Sequence, residues 1–195
     1  MPYNVSGVIL AGGKSSRFGT NKAFIEIGGK KIIARQIELF GELFREIIIV
    51  CKNSSEYSGL PCKVIEDIVD YTSPLSGIYT GLKSCRFESI FVVACDMPFL
   101  KKELIEYQLR FADDFDVVVP QHEGDYEALH ALYSKSCTPL IEEMFKNSNF
   151  RVYDFYNSVR LKIIDDKEIK KFDPAMLSFM NINTLDDLEK VKRIK

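Results

Sequence analysis

Apolar segments of strand length alternate along the chain with segments of helical period. Residues 5–10 predict a strand, and Ile32, Ile33, Gln36, Ile37, Phe40 and Phe44 then recur at helical spacing. Residues 46–51 are a β-branched run of strand length, and 63–65 a shorter one. Residues 78–85 predict a helix. The run 89–94, Ser-Ile-Phe-Val-Val-Ala, predicts a strand without polar alternation, as expected where both faces of a sheet are covered. A helix over 104–111 and a strand over 116–119 complete a β-α-β-β-α-β-α-β order. Further on, the pattern predicts strands at 129–133 and 161–164 and a helix over 139–145. Leu185, Leu188 and Val191 predict one apolar face of a last helix, with Thr184 as its cap and Asp187 three residues on. The order predicts an α/β fold, a Rossmann-like three-layer α/β/α sandwich with a mainly parallel sheet.

Composition narrows the classes. A chain of 195 residues, 46% hydrophobic, suggests one domain with a sizeable core. Net charge is −2, so no overall basic field points to nucleic acid. The apolar runs are too short to span a membrane, and the start does not read as a signal peptide. Cys51, Cys62, Cys85, Cys95 and Cys137 are odd in number and lack C-x-x-C spacing. They read as reduced thiols of a cytoplasmic protein. His122 and His130 lack the spacing of a zinc pair.

The candidate chemistry begins with LAGGKSSRFGTNK, residues 10–22, directly after the first predicted strand. It holds three glycines and three cations (Lys14, Arg17, Lys22) and no carboxylate. A Walker A loop would need a glycine where Val8 stands, and the dinucleotide glycine spacing is absent too. What remains is a βα turn whose glycines permit positive φ, or a looser phosphate cradle. In the cradle, amides at Gly12 and Gly13 approach a phosphate, and Arg17 and Lys22 neutralise it. Asp96, in Val-Val-Ala-Cys-Asp-Met-Pro, falls at the carboxyl end of a buried strand. It can start a turn there or ligate a hard cation that phosphates share. Glu66 and Asp67 end another strand, ahead of Pro74-Leu75-Ser76-Gly77.

Leu10-Ala11-Gly12-Gly13-x-Ser15-x-Arg17-Phe18-Gly19-x-Asn21-Lys22 resembles the signature of nucleotidyltransferases that move a nucleoside monophosphate onto a phosphorylated acceptor. The pairing of L-A-G-G with P-L-x-G is similar to the molybdenum cofactor guanylyltransferases. So is Phe179-Met-Asn181-Ile-Asn183-Thr184 near the C-terminal end. The stretch from Glu127-Ala128 resembles that group's acceptor side but lacks its usual proline. The likeness covers nearly the whole chain and is weak over 111–175.

The resemblance implies the nucleotide-diphospho-sugar transferase type of fold. It implies that Leu10, Ala11, Gly12, Gly13, Lys22, Asp67 and Asp96 bind nucleotide. Arg17, Lys22 and Asp96 would be catalytic, with Mg²⁺ on Asp96. Asn181 and Asn183, expected to share one side of a strand, would face the acceptor. A further nucleotide contact falls on Cys51 or Asn53. Residues 1–110 would bind nucleotide and 111–195 the acceptor, in one domain. The implied substrates are GTP and molybdopterin. Implied partners are molybdenum-insertion and molybdoenzyme maturation proteins, with no nucleic acid or membrane. The rivals are a relative using CTP or a sugar or polyol phosphate, and a nucleotide-binding regulator without turnover.

Overall fold

The computed structural model describes residues 3–12 and 21–193. In chain order the first half comprises β1 (Tyr3–Leu10), β2 (Glu26–Ile27), β3 (Lys30–Lys31), α1 (Ile32–Leu43), β4 (Phe44–Cys51), β5 (Lys63–Glu66), α2 (Pro74–Ser84), β6 (Ser89–Ala94) and α3 (Lys102–Leu109). The second half adds β7 (Val117–His122), β8 (Asp125–Tyr126), β9 (His130–Ser134), α4 (Thr138–Lys146), β10 (Leu161–Ile164), α5 (Asp166–Ile169) and α6 (Leu185–Arg193).

The main sheet runs β10-β7-β9-β6-β1-β4-β5, with β8 paired to the outer part of β7. β1 pairs in parallel with both β4 and β6, β4 with β5, and β7 with β10. β9 runs antiparallel between β6 and β7. After β1 the chain adds β4 and β5 on one side, then crosses to lay β6 on the other. That reversal of direction opens a crevice beyond the carboxyl ends of β1 and β6, where open α/β sheets bind ligands.

Alternate residues of the strands feed two cores. Ile9, Ile49, Phe91 and Val93 pack with Ile33 and Phe40 of α1 and Leu104 of α3. Val8, Ile48, Ile90 and Val92 pack on the opposite face with Ile78 and Leu82 of α2 and Ile141 of α4. This is the three-layer sandwich that the unalternating strands predict. Close approach sets one glycine: a Cβ on Gly7 would lie 2.5 Å from a Phe40 ring carbon and 2.6 Å from one of Phe44. Gly7→Ala is therefore expected to overpack the core and cost about 1–3 kcal/mol of stability, read by urea denaturation. An unchanged midpoint would show that both rings can retreat.

Several expectations are corrected. Phe44 opens β4 instead of closing α1. Leu188 and Val191 of α6 pack on the small hairpin with Ile27 and Ile32, but Leu185 is 68% exposed and outside that face. Residues 181–183 form no strand. The backbone there is held by Ile182 N–H donating to the Asp96 carbonyl at 3.1 Å and Asn183 N–H donating to the Asp187 carboxylate at 3.0 Å. The Thr184 cap does form, its hydroxyl accepting from Asp187 N–H while the Asp187 carboxylate accepts from Thr184 N–H. All five cysteines are free thiols; Cys51, Cys85 and Cys137 are buried, while Cys62 and Cys95 are half-buried. No helix among the described residues is long and apolar enough to cross a membrane.

Candidate functional site

A cavity of about 230 Å³ opens at the crevice between β1 and β6. Leu10, Ala11 and Gly12 line it from the end of β1, and Ala94, Cys95 and Asp96 from the end of β6. Val50 and Lys52 contribute from β4, Asp67 from just beyond β5, and Lys22 from the far side of the glycine loop. Tyr71 to Pro74 and Gly77 close it at the start of α2. Leu10, Ala11, Gly12, Lys22, Asp67 and Asp96, separated by up to 86 positions in sequence, thus share one cavity. Gly13 and Arg17 lie outside the described residues.

The base of the glycine loop is fixed by a buried phenol. Tyr57 donates its hydroxyl to the Ala11 carbonyl at 3.2 Å and accepts from Asn21 Nδ2 at 2.7 Å. Asn21 Oδ1 accepts from Ala23 N–H and so caps the short turn that carries Lys22. Gly12 is not in the left-handed region; a methyl there would meet Asp67 Oδ2 at an ordinary 3.6 Å. Its backbone borders the cavity.

Lys22 Nζ lies 3.1 Å from Asp96 Oδ2 and donates to Asn183 Oδ1 at 2.7 Å. The side chains of this ion pair are only 17% and 18% exposed, so solvent screens it less than a surface pair. Asn183 and Asn181 flank the buried Ile182 and are both exposed. Neither lines the cavity; Asn183 reaches it through Lys22.

Asp67 sits at the other end. Burial pushes its carboxyl up, while the Thr80 hydroxyl, donating to Oδ1 at 2.8 Å, and the nearby Lys52 charge pull it down. Neither candidate at the end of β4 lines the cavity. The Cys51 thiol is buried, contacts the Ile65 carbonyl at 3.7 Å and is raised to about 11 by burial. The Asn53 side chain caps the turn at Ser55. Lys52, between them, does line the cavity. Strand periodicity was the available signal: if Val50 faces the cavity and Cys51 the core, residue 52 faces the cavity again.

Among the described residues no group of three or more His, Cys, Asp or Glu could hold a metal unaided. Asp96 offers a hard oxygen donor in a site with cationic company. That suits a divalent ion whose remaining ligands are phosphate oxygens and water.

Nucleotidyl transfer is the chemistry such a cavity serves, and comparison with known proteins puts the chain in that class of enzyme. It belongs to the family of MobA-like NTP transferase domains, whose pattern matches residues 7–160. It is 37% identical over 187 residues to the "Probable molybdenum cofactor guanylyltransferase" of Pelotomaculum thermopropionicum, covering 96% of this chain and 91% of that one. It is 37% identical over 190 residues to the molybdenum cofactor guanylyltransferase of Desulfosudis oleivorans, covering 96% and 94%. The crystal structure of molybdopterin-guanine dinucleotide biosynthesis protein A from Archaeoglobus fulgidus superposes with a TM-score of 0.84 at 26% identity, covering 97% and 98% of the two chains.

Proposed function

We propose that the enzyme transfers GMP from GTP to the terminal phosphate of molybdopterin, giving the guanine dinucleotide form and pyrophosphate. The names of its relatives support this choice of substrates. The observation that carries it is the pairing of Lys22 with Asp96 in a cavity that also takes in Gly12, Lys52 and Asp67. An acceptor phosphate oxygen attacks the α-phosphorus, the bond to the β-phosphate oxygen breaks, and pyrophosphate leaves with the electron pair. The acceptor is already anionic, so no general base is needed. The chain's work is in-line positioning and neutralisation of charge.

Leu10, Ala11 and Gly12 border the nucleotide, Lys52 and Asp67 hold its far end, and Lys22 meets the charge developing on the phosphates. Asp96 would hold Mg²⁺, which when bound supplies further positive charge to those oxygens. Residues 1–110 then serve the nucleotide and 111–195 the acceptor. The product would pass in the cytoplasm to molybdenum-insertion or molybdoenzyme maturation proteins. Pyrophosphate release across the four NTPs, with and without molybdopterin, tests the reading. Preference for CTP or a sugar phosphate would move the protein to another branch, and no release with any pair would make it a regulator.

Asn183 positions Lys22, and its amide nitrogen, without a partner among the described residues, is left for the acceptor. The ties of this segment are backbone bonds, Ile182 to Asp96 and Asn183 to Asp187, which alanine preserves. Asn183→Ala is therefore expected to lower kcat roughly tenfold, about 1.5 kcal/mol, the low end for one hydrogen bond to a charged group. GTP affinity and melting temperature should stay put. A clear drop in melting temperature with equal damage to both substrates would make Asn183 a structural anchor.

A further inference from the structure

One amide sits on the apolar face of α1. Gln36 lies between Ile33 and Phe40 on the core side of the helix and is 2% exposed. Its Nε2 donates to the Ala94 carbonyl at 2.8 Å and to the Met97 carbonyl at 3.0 Å. Both bonds need an N–H, so the amide sits nitrogen first and cannot be turned over. The two carbonyls are the ends of the tight turn that carries Asp96. The turn's own closing bond, from Met97 N–H to the Ala94 carbonyl, is long at 3.3 Å. Other backbone bonds tie its interior: Cys95 N–H donates to the Leu10 carbonyl, and the Asp96 carbonyl accepts from Ile182 N–H. The chain here also runs between open spaces. Ala94, Cys95 and Asp96 line the reacting cavity, while Pro98 and Leu100 join Gln36 in lining a second cavity of about 270 Å³. Packing constrains such a segment least, and a hydrogen-bonded clamp on its two ends supplies what packing does not.

Stability alone does not account for Gln36. Its Oε1 is buried with no hydrogen-bond partner among the described residues, and an acceptor left in that state weakens a fold. An apolar side chain of the same length would strand no atom of its own. We propose that Gln36 is a positioning residue of the transfer centre. From the core side it clamps both ends of the turn that carries Asp96, so that the carboxylate is aimed before a divalent cation arrives. The proposal rests on the reading of Asp96 as the metal ligand. A carboxylate is placed no better than the backbone that bears it, and the short aspartate arm passes any movement of the turn directly to its oxygens. Partners that orient a metal ligand from behind commonly change metal affinity by roughly tenfold to a hundredfold. The signature of Gln36 is therefore on the metal.

Mn²⁺ binding to the full chain in the presence of GTP, followed by electron paramagnetic resonance, tests this. Gln36→Met keeps the length of the side chain and removes the donor. It should weaken Mn²⁺ binding by roughly tenfold, the low end for a partner that orients a ligand, and lower kcat for pyrophosphate release by a similar factor. Gln36→Asn keeps the amide but draws it back by one carbon. It should weaken Mn²⁺ binding too, and it carries the test if the methionine variant does not fold. Ile33→Val trims the same face of α1 without touching the turn. It should lower the melting temperature and leave Mn²⁺ binding unchanged. Mn²⁺ binding by Gln36→Met at wild-type affinity would overturn the clamp. An equal loss in Ile33→Val would overturn it as well, by making the effect one of general packing. If Asp96→Asn loses Mn²⁺ binding in either case, the metal reading survives without the clamp. No Mn²⁺ binding by the wild type, or wild-type affinity in Asp96→Asn, would reject the metal reading and the proposal with it.

Discussion

Asp96→Asn is expected to lower kcat by roughly 10²–10³-fold while leaving the fold intact. Asp96 stands in the turn just after β6, at the crevice where the order of strands reverses. Its carboxylate faces Lys22 and its carbonyl accepts from Ile182 N–H. Only the first of these changes on substitution. The backbone tie that holds the C-terminal segment is untouched, and an amide oxygen can still accept from Lys22. Stability should therefore move little. A neutral amide, however, is a much poorer ligand for a hard divalent cation. The loss should appear in kcat at saturating GTP, together with a raised requirement for Mg²⁺. Near wild-type kcat with an unchanged Mg²⁺ requirement would remove Asp96 from the metal role.

The layers and the crevice were legible because local signals and burial agreed. Ser89–Ala94 and Leu161–Ile164 are strands at the expected bounds, since unalternating apolar runs between turn residues have few other uses. Helix α2 begins four residues earlier than its apolar period suggests. Ser73 caps it through Leu75 N–H and Pro74 supplies the first turn, signals that hydrophobic spacing does not carry. Two hairpins were missed although their turns are written in glycine. Gly28 and Gly29 join β2 to β3, and Glu123 and Gly124 join β7 to β8, all four at positive φ. Strands of two residues have no period to detect.

The site divides the same way. The residues that a motif gathers, Leu10 to Gly12, Lys22, Asp67 and Asp96, converge on one cavity. Lys52 and Tyr57 were missed because their roles arise from tertiary contact. Lys52 gains its place from strand parity, and Tyr57 from joining Ala11 to Asn21 across the loop. Asn183 was found for a reason that failed, strand parity, and holds its place for another, its bond to Lys22.

Lys22→Ala should remove about 2–4 kcal/mol of transition-state stabilisation, the usual scale for one preorganised charge-stabilising group. The ammonium is preorganised in the relevant sense. Asn21 caps the turn that carries it, and Asp96 and Asn183 hold its head from two sides. Lys22→Arg should not restore full activity. A planar guanidinium cannot replace a compact ammonium between a carboxylate and an amide. Because Lys22 and Asp96 act in one network, the double variant Lys22→Ala/Asp96→Asn should lose less than the two single losses added together. Steady-state kinetics decide the role. A loss carried by kcat places the lysine in the transition state, whereas a rise in KM for GTP with kcat unchanged would make it a uniform binder of nucleotide and no catalyst.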